Sequence, residues 1–187
     1  MKYLITLPWM PYPATDGGKQ GSFNMLMELQ NMIDITLIYP VFFKKQMACQ
    51  YLLEKQLPKV KVYPFEYYKN KDGIKSQYSL FRLHRIITRK FLKQPYLATP
   101  IYKDAYIDFV NEIIKKERID IVQNEYFEQL YMVYAIPNTV KKVFIQHEIQ
   151  YIAKERLIQQ REYPSSVRYL ATMQRIQEIN ALMNTTK

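Results

Sequence analysis

Three short stretches place polar, chemistry-bearing side chains directly behind apolar runs: Asp16-Gly17-Gly18-Lys19, Asn124-Glu125 and His147-Glu148. A carboxylate and an imidazole brought to one crevice can exchange protons with a substrate or bind its hydroxyl groups. The same residues can also do no more than cap a helix or pair with a lysine. For Glu128 and Glu148 we adopt that structural role; for His147 and Glu125 we adopt the functional one. Asp16-Gly17-Gly18 follows a short apolar run, Lys2–Thr6, and a proline-rich loop (Pro8, Pro11, Pro13), and precedes a helical pattern carried by Phe23, Leu26, Met27 and Leu29. Glycines let the backbone approach a ligand without a Cβ in the way. A helix starting near Lys19 would aim unpaired N–H groups and partial positive charge at the same place, which suits phosphate. Gly-Gly is equally common in a plain strand–helix turn, and the arrangement is not G-x-G-x-x-G, so both readings stand.

Other chemistries lack their residues. His147-Glu148 is followed by Ile149, Gln150 and Tyr151, so no H-E-x-x-H metal motif is present, and the other histidine, His84, is remote in sequence. No G-x-S-x-G, Walker lysine loop or cysteine–histidine pairing occurs, which removes the hydrolase and P-loop readings. The single cysteine, Cys49, forms no internal disulfide, and no cluster around it suggests structural zinc. No metal and no resident cofactor are expected.

The elements that must position these residues alternate. Lys2–Thr6, Ile33–Tyr39 (ended by Pro40), Lys59–Phe65, Ile119–Gln123 and Lys141–Gln146 read as strands. Helical patterns are expected from Lys19, over Phe42–Leu57, Leu80–Leu92, Ile101–Arg118 and Glu125–Ile136, and again over Ile149–Arg161 and Ser166–Met183, with a polar loop over Glu66–Gln77. Strands separated by helices of ten or more residues indicate βαβ units. The expected fold is therefore α/β, a Rossmann-like domain with a mostly parallel sheet flanked by helices. In such a sheet ligands meet the carboxyl ends of the strands. That places Asn124-Glu125 and His147 in loops facing the crevice shared with Asp16-Gly17-Gly18.

The 187 residues fit one domain with a sizeable core, and 48% apolar content marks a globular chain. The opening apolar run stops at Pro8, too short for a signal peptide, and nothing approaches the ~20 apolar residues that cross a bilayer. A cytoplasmic protein is expected. The net charge of +10 favours a polyanionic partner such as anionic lipid, nucleic acid or a nucleotide-bearing substrate, without choosing among them. Seventeen tyrosines and nine phenylalanines carry no RNA-binding signature, and no nucleic-acid partner is expected. In the amphipathic stretch Leu80–Leu92 and just beyond it, Arg82, Arg85, Arg89 and Lys93 follow one another at helical spacing on another side from Leu80, Leu83, Ile87 and Phe91. This face either meets an anionic membrane or acidic partner or is simply solvated; the solvated reading is preferred.

Taken together, the segments LPWMPYPATDGGKQGSFNMLMELQ, ITLIYP, ERIDIVQNEYFEQLYM and VKKVFIQHEIQYIAKERL resemble, in order and spacing, the N-terminal half of a GT-B glycosyltransferase of the retaining family 4, or "group 1". The resemblance covers essentially the whole chain. It implies two Rossmann-like domains facing a cleft, the N-terminal one holding a glycan or lipid-linked acceptor and the C-terminal one holding a nucleotide-sugar as co-substrate. Gly17 and Gly18 then match the glycine loop near the donor phosphates, with Asp16 and Lys19 beside it and Asn124 nearby. His147 matches a histidine beside the transferred sugar, its catalytic position, and Glu125 an acidic position after the preceding strand. The donor-binding half, with its paired glutamates, does not follow Lys187, so residues 1–187 are expected to be the acceptor-side domain and inactive alone. Peripheral contact with the inner face of the membrane fits a lipid-linked acceptor. Two other readings remain: a non-enzymatic basic module docking on membrane or acidic partner, and a Rossmann-type nucleotide binder that works alone.

Overall fold

A computed structural model describes residues 1–70, 103–130 and 132–147, together with Ile152 and Arg156, both helical. The amphipathic stretch Leu80–Leu92 with Arg82, Arg85, Arg89 and Lys93, most of the loop 66–77, and nearly all of the helical patterns beyond 148 lie outside the described residues.

Among the described residues five strands, β1 (Lys2–Thr6), β2 (Asp34–Val41), β3 (Lys61–Glu66), β4 (Ile121–Glu125) and β5 (Lys141–Ile145), form one sheet in the order β3-β2-β1-β4-β5. Every pairing is parallel. Between them run helices α1 (Gly17–Leu29), α2 (Met47–Gln56), α3 (Lys103–Glu117) and the single turn α4 (Met132–Ala135). The sheet is therefore the expected α/β, Rossmann-like one. The chain steps outward from β1 to β3, then returns through α3 to lay β4 on the other side of β1. That reversal is where a parallel sheet opens a crevice between loops that diverge to opposite faces.

The central strands are covered on both faces, which is why they read as near-continuous apolar runs. Ile5, Ile35, Leu37 and Tyr39 point to the side of Leu26 in α1 and Leu53 in α2. Leu4, Ile38 and Val122 point to the opposite side, against Tyr106, Val110 and Ile113 of α3 and Met132 of α4. The fully buried Tyr39 phenol is pushed well above its ordinary range, first by burial and then by the charges of Glu54 and Cys49. Among the described residues no helix is long and apolar enough to cross a membrane.

Several boundaries differ from those the sequence suggests, for physical reasons. Strand β2 does not end before Pro40 but continues through it to Val41, paired with β3. The carbonyl of Ile38 accepts from Leu7 N at 2.9 Å, so that side of the backbone faces β1. Two residues on, Pro40 faces the same way, beyond the last β1 register pair, Thr6↔Ile38, where an N–H would have no ladder partner to lose. Strand β3 begins at Lys61 and takes in Glu66, and Tyr67–Asn70 adds a 3-10 turn where a loop was expected. The helix expected over Phe42–Leu57 starts as a 3-10 turn, Lys44–Gln46, before α2. The expected helix Glu125–Ile136 is instead the strand end, a 3-10 turn at Phe127–Gln129, and α4.

At the end of the sheet opposite the reversal, Glu117 closes α3. Its carboxylate meets Lys61 Nζ at 2.8 Å and accepts from the Tyr63 hydroxyl at 2.7 Å, while Lys2 Nζ donates to its carbonyl at 2.9 Å. A cation on the last carbonyls of a helix is well placed for the helix dipole.

Candidate functional site at the sheet reversal

Asp16 is the N-cap of α1. In extended conformation (φ −142°, ψ 167°), it accepts the Lys19 backbone N–H on Oδ1 at 2.9 Å. Lys19 Nζ folds back to Asp16 Oδ2 at 3.2 Å and to Thr15 Oγ1 at 3.1 Å. The Lys19 N–H bond, followed by the Lys19 side chain, holds the Asp16 carboxyl below its ordinary range. The start of α1 is thus not an open cradle for phosphate: it already carries its own carboxylate.

The two glycines differ. A Cβ on Gly17 would meet nothing within 4 Å, whereas one on Gly18 would lie 3.2 Å from the Tyr126 hydroxyl and 3.6 Å from Trp9 Cζ2. Neither has a positive φ. Gly18 is small to admit Tyr126, and Gly17 borders open space.

Strand β4 reaches Glu125, so Asn124 and Glu125 are its last two residues and not a loop. Side chains alternate along a strand, and the two separate accordingly. Asn124 is fully buried and accepts the Thr6 hydroxyl at 2.8 Å; its Nδ2 finds no partner among the described residues. Glu125 and Gln123 face α1. Glu125 is fully buried. Its Oε1 accepts from Gln123 Nε2 at 2.6 Å, while Oε2 meets His147 Nε2 at 3.0 Å and the Ser22 hydroxyl at 3.4 Å. Gln123 is itself fixed by the Tyr3 hydroxyl, which donates to Oε1 at 2.7 Å. Burial, then the Glu125 charge, raises the Tyr3 phenol.

Tyr126 ties this cluster to α1. At φ 68° it occupies the left-handed region that favours glycine, turning the chain as it leaves β4. Its N–H donates to the Ile145 carbonyl at 3.0 Å and its hydroxyl to the Gly18 carbonyl at 2.9 Å, with Ser22 Oγ 3.2 Å away. The ring stacks on His147 (centroids 4.1 Å, 17° between planes) and lies 4.5 Å from the Trp9 ring. Burial raises the Tyr126 phenol; the Ser22 bond opposes this, and the charges of Glu125, Asp16 and Glu128 add to it.

The structure therefore gathers Asp16, Gly18, Lys19, Glu125 and His147 at one end of the sheet, leaves Gly17 at its open border, and turns Asn124 to the other face. Sequence reasoning did not single out Ser22, Gln123, Tyr126 and Trp9. The Gln123-x-Glu125 alternation was the available signal for one of them; nothing local marks the others, whose contacts with one another and with Gly18 and Glu125 span about a hundred positions. Among the described residues, no three or more histidine, cysteine, aspartate or glutamate side chains are grouped to hold a metal ion.

Fold and site together define a Rossmann-like α/β domain with a carboxylate–imidazole–aromatic cluster at the sheet reversal. No protein-family model matches the chain, and no curated protein shows a significant match to it.

Proposed function

We propose that the chain is the acceptor-side domain of a retaining GT-B glycosyltransferase of family 4, which moves a sugar from a nucleotide-sugar to a glycan or lipid-linked acceptor. The observation that carries this reading is the meeting of His147 and the Gly18 turn through one side chain, Tyr126, at the sheet reversal. A half-exposed imidazole beside a glycine turn suits a wall of a sugar-transfer cleft. The carboxylate that already caps α1 favours hydroxyl groups over phosphate on this wall, in keeping with an acceptor side. The nucleotide-sugar would be held by a second domain, and the parent enzyme would stabilise the leaving diphosphate with helix dipole and basic groups there. A lipid-linked acceptor gives the basic stretch Arg82–Lys93 a membrane-facing task.

Two measurements test this. Calorimetry on residues 1–187 with UDP-, GDP- and ADP-sugars is expected to show no binding tighter than millimolar. The polypeptide read through whatever follows Lys187 in its gene is expected to release nucleoside diphosphate from one of them only with acceptor present. His147→Ala should lower that rate by ~100-fold or more. Micromolar binding of a nucleotide-sugar by residues 1–187 would overturn the proposal in favour of a self-sufficient nucleotide binder.

A further inference from the structure

We infer that Glu125 is the positioning residue of His147, holding its imidazole with Nε2 protonated and Nδ1 offered outward to a hydroxyl group of a bound polyol. The polyol rests on the function proposed above; the positioning does not.

The argument begins at Tyr3. Its hydroxyl donates to Gln123 Oε1 at 2.7 Å, which fixes the orientation of that amide and turns its NH₂ toward Glu125. Glu125 Oε1 takes this donor at 2.6 Å, leaving Oε2 for His147 Nε2 at 3.0 Å. Gln123 Nε2 donates to one oxygen of Glu125 and the Ser22 hydroxyl to the other, so the carboxyl group acts here as an acceptor and the Nε2 of His147 carries the proton in this contact. In the neutral ring Nδ1 is then the acceptor, and among the described residues it has no partner. The side chain is 37% exposed while Glu125 is fully buried. The relay Tyr3→Gln123→Glu125→His147 runs from β1 through β4 to the segment that follows β5, and sets the rotation of the ring in its own plane. Tyr126 sets the plane itself by stacking.

Burying a carboxylate is costly unless its partners compensate, and an apolar side chain would fill the same space more cheaply. What the carboxylate adds is direction: it selects one of two imidazole tautomers and aims one nitrogen away from the sheet.

The relay makes a specific prediction about Glu125→Gln. With Gln123 NH₂ claiming the new amide's oxygen, the amide's own NH₂ must face His147 Nε2, which then has to accept. The tautomer should invert to Nδ1–H. Exchanging the two residues, Gln123→Glu with Glu125→Gln, returns an oxygen to His147 and should restore Nε2–H.

The chain has only two histidines, so long-range ¹H–¹⁵N spectra in alkaline buffer, where imidazoles are neutral, resolve both rings. His147→Ala assigns the signal. We expect a shift in the tautomer ratio of ~10-fold or more between wild type and Glu125→Gln, and its reversal in the double variant. An unchanged ratio in folded Glu125→Gln, judged by unaltered sheet amide signals, would overturn the inference. Should Glu125→Gln not fold, the double variant carries the test, and Nδ1–H there would overturn it equally. No substrate enters the measurement, so its outcome is independent of the glycosyltransferase reading.

Discussion

Gly17 and Gly18 are adjacent and chemically identical, yet alanine should stabilise the fold at the first and not at the second. Both have backbone angles alanine can adopt, so each substitution removes unfolded-state freedom worth about 0.4–1 kcal/mol. At Gly17 nothing lies within 4 Å of the new methyl group, and this gain stands alone. At Gly18 the methyl group arrives 3.2 Å from the Tyr126 hydroxyl, which must retreat by a few tenths of an ångström. It has little room to do so. The ring is stacked on His147 at 4.1 Å, backed by Trp9 at 4.5 Å, and held by a backbone at φ 68°. Retreat also stretches the 2.9 Å bond to the Gly18 carbonyl, and losing that bond costs about 0.5–1.5 kcal/mol. We expect Gly17→Ala to stabilise the fold and Gly18→Ala to fall about 1 kcal/mol below it in urea titrations. For a chain of this size that is a separation of about 2–4 °C in Tm. Equal stabilisation by both alanines would refute the packing of Tyr126 on Gly18.

Thr6→Val should cost about 1–3 kcal/mol in the same titrations, because it strips the fully buried Asn124 side chain of its one hydrogen-bond partner among the described residues; a cost below about 0.5 kcal/mol would contradict this. Tyr126→Phe should cost about 1 kcal/mol by deleting the bond to Gly18, while His147 keeps its stacking partner. Stability should fall with acid. Asp16, Glu66 and Glu117 are held below their ordinary values by Lys19, Lys69 and Lys61 respectively, so the unfolded chain binds protons first, and their contribution, complete above about pH 5, is lost as pH drops through the folded values. Urea midpoints followed from pH 6 to pH 3 should decline less steeply in Glu117→Gln than in wild type; parallel curves would exclude the Glu117 contribution.

What was legible in the sequence was whatever rested on local pattern. The runs at Lys2–Thr6 and Lys141–Gln146 emerge as strands nearly as read: β1 ends in the fully buried Leu4, Ile5 and Thr6, and the partly buried edge strand β5 still carries the strand-favouring Val143-Phe144-Ile145. Pro40 misled because its cost depends on where β1 stops, which no window around residue 40 contains. The polar pair Asn124-Glu125 resembled a loop for a similar reason. Both side chains are buried in the strand, made tolerable by Thr6, Gln123 and His147, partners supplied by other strands or by alternation along β4. Glu125 and His147 could be singled out by type and by position behind apolar runs. Their 3.0 Å contact could not, since it needs β4 and β5 in register. Tyr126 carries no advance signal at all: its role comes from a left-handed backbone turn and a glycine 108 positions earlier.

The middle strand of the sheet, β1, is also the earliest one to be synthesised. Its β2 flank is made within a few dozen residues, but its other flank waits for β4; Thr6 and Gln123 lie 117 positions apart. At about 5–20 residues per second the ribosome takes roughly 6–23 s to cover that interval. Throughout it, a strand with fully buried Leu4 and Ile5 keeps one edge of backbone donors and acceptors unpaired. An apolar strand with an open edge is the form of nascent chain that pairs with neighbours. The site inherits this delay, because Glu125, Tyr126 and His147 all arrive with or after the strand that closes the gap. We therefore expect synonymous codon changes between β3 and β4, which alter the elongation rate there, to change soluble expression without altering the folded protein.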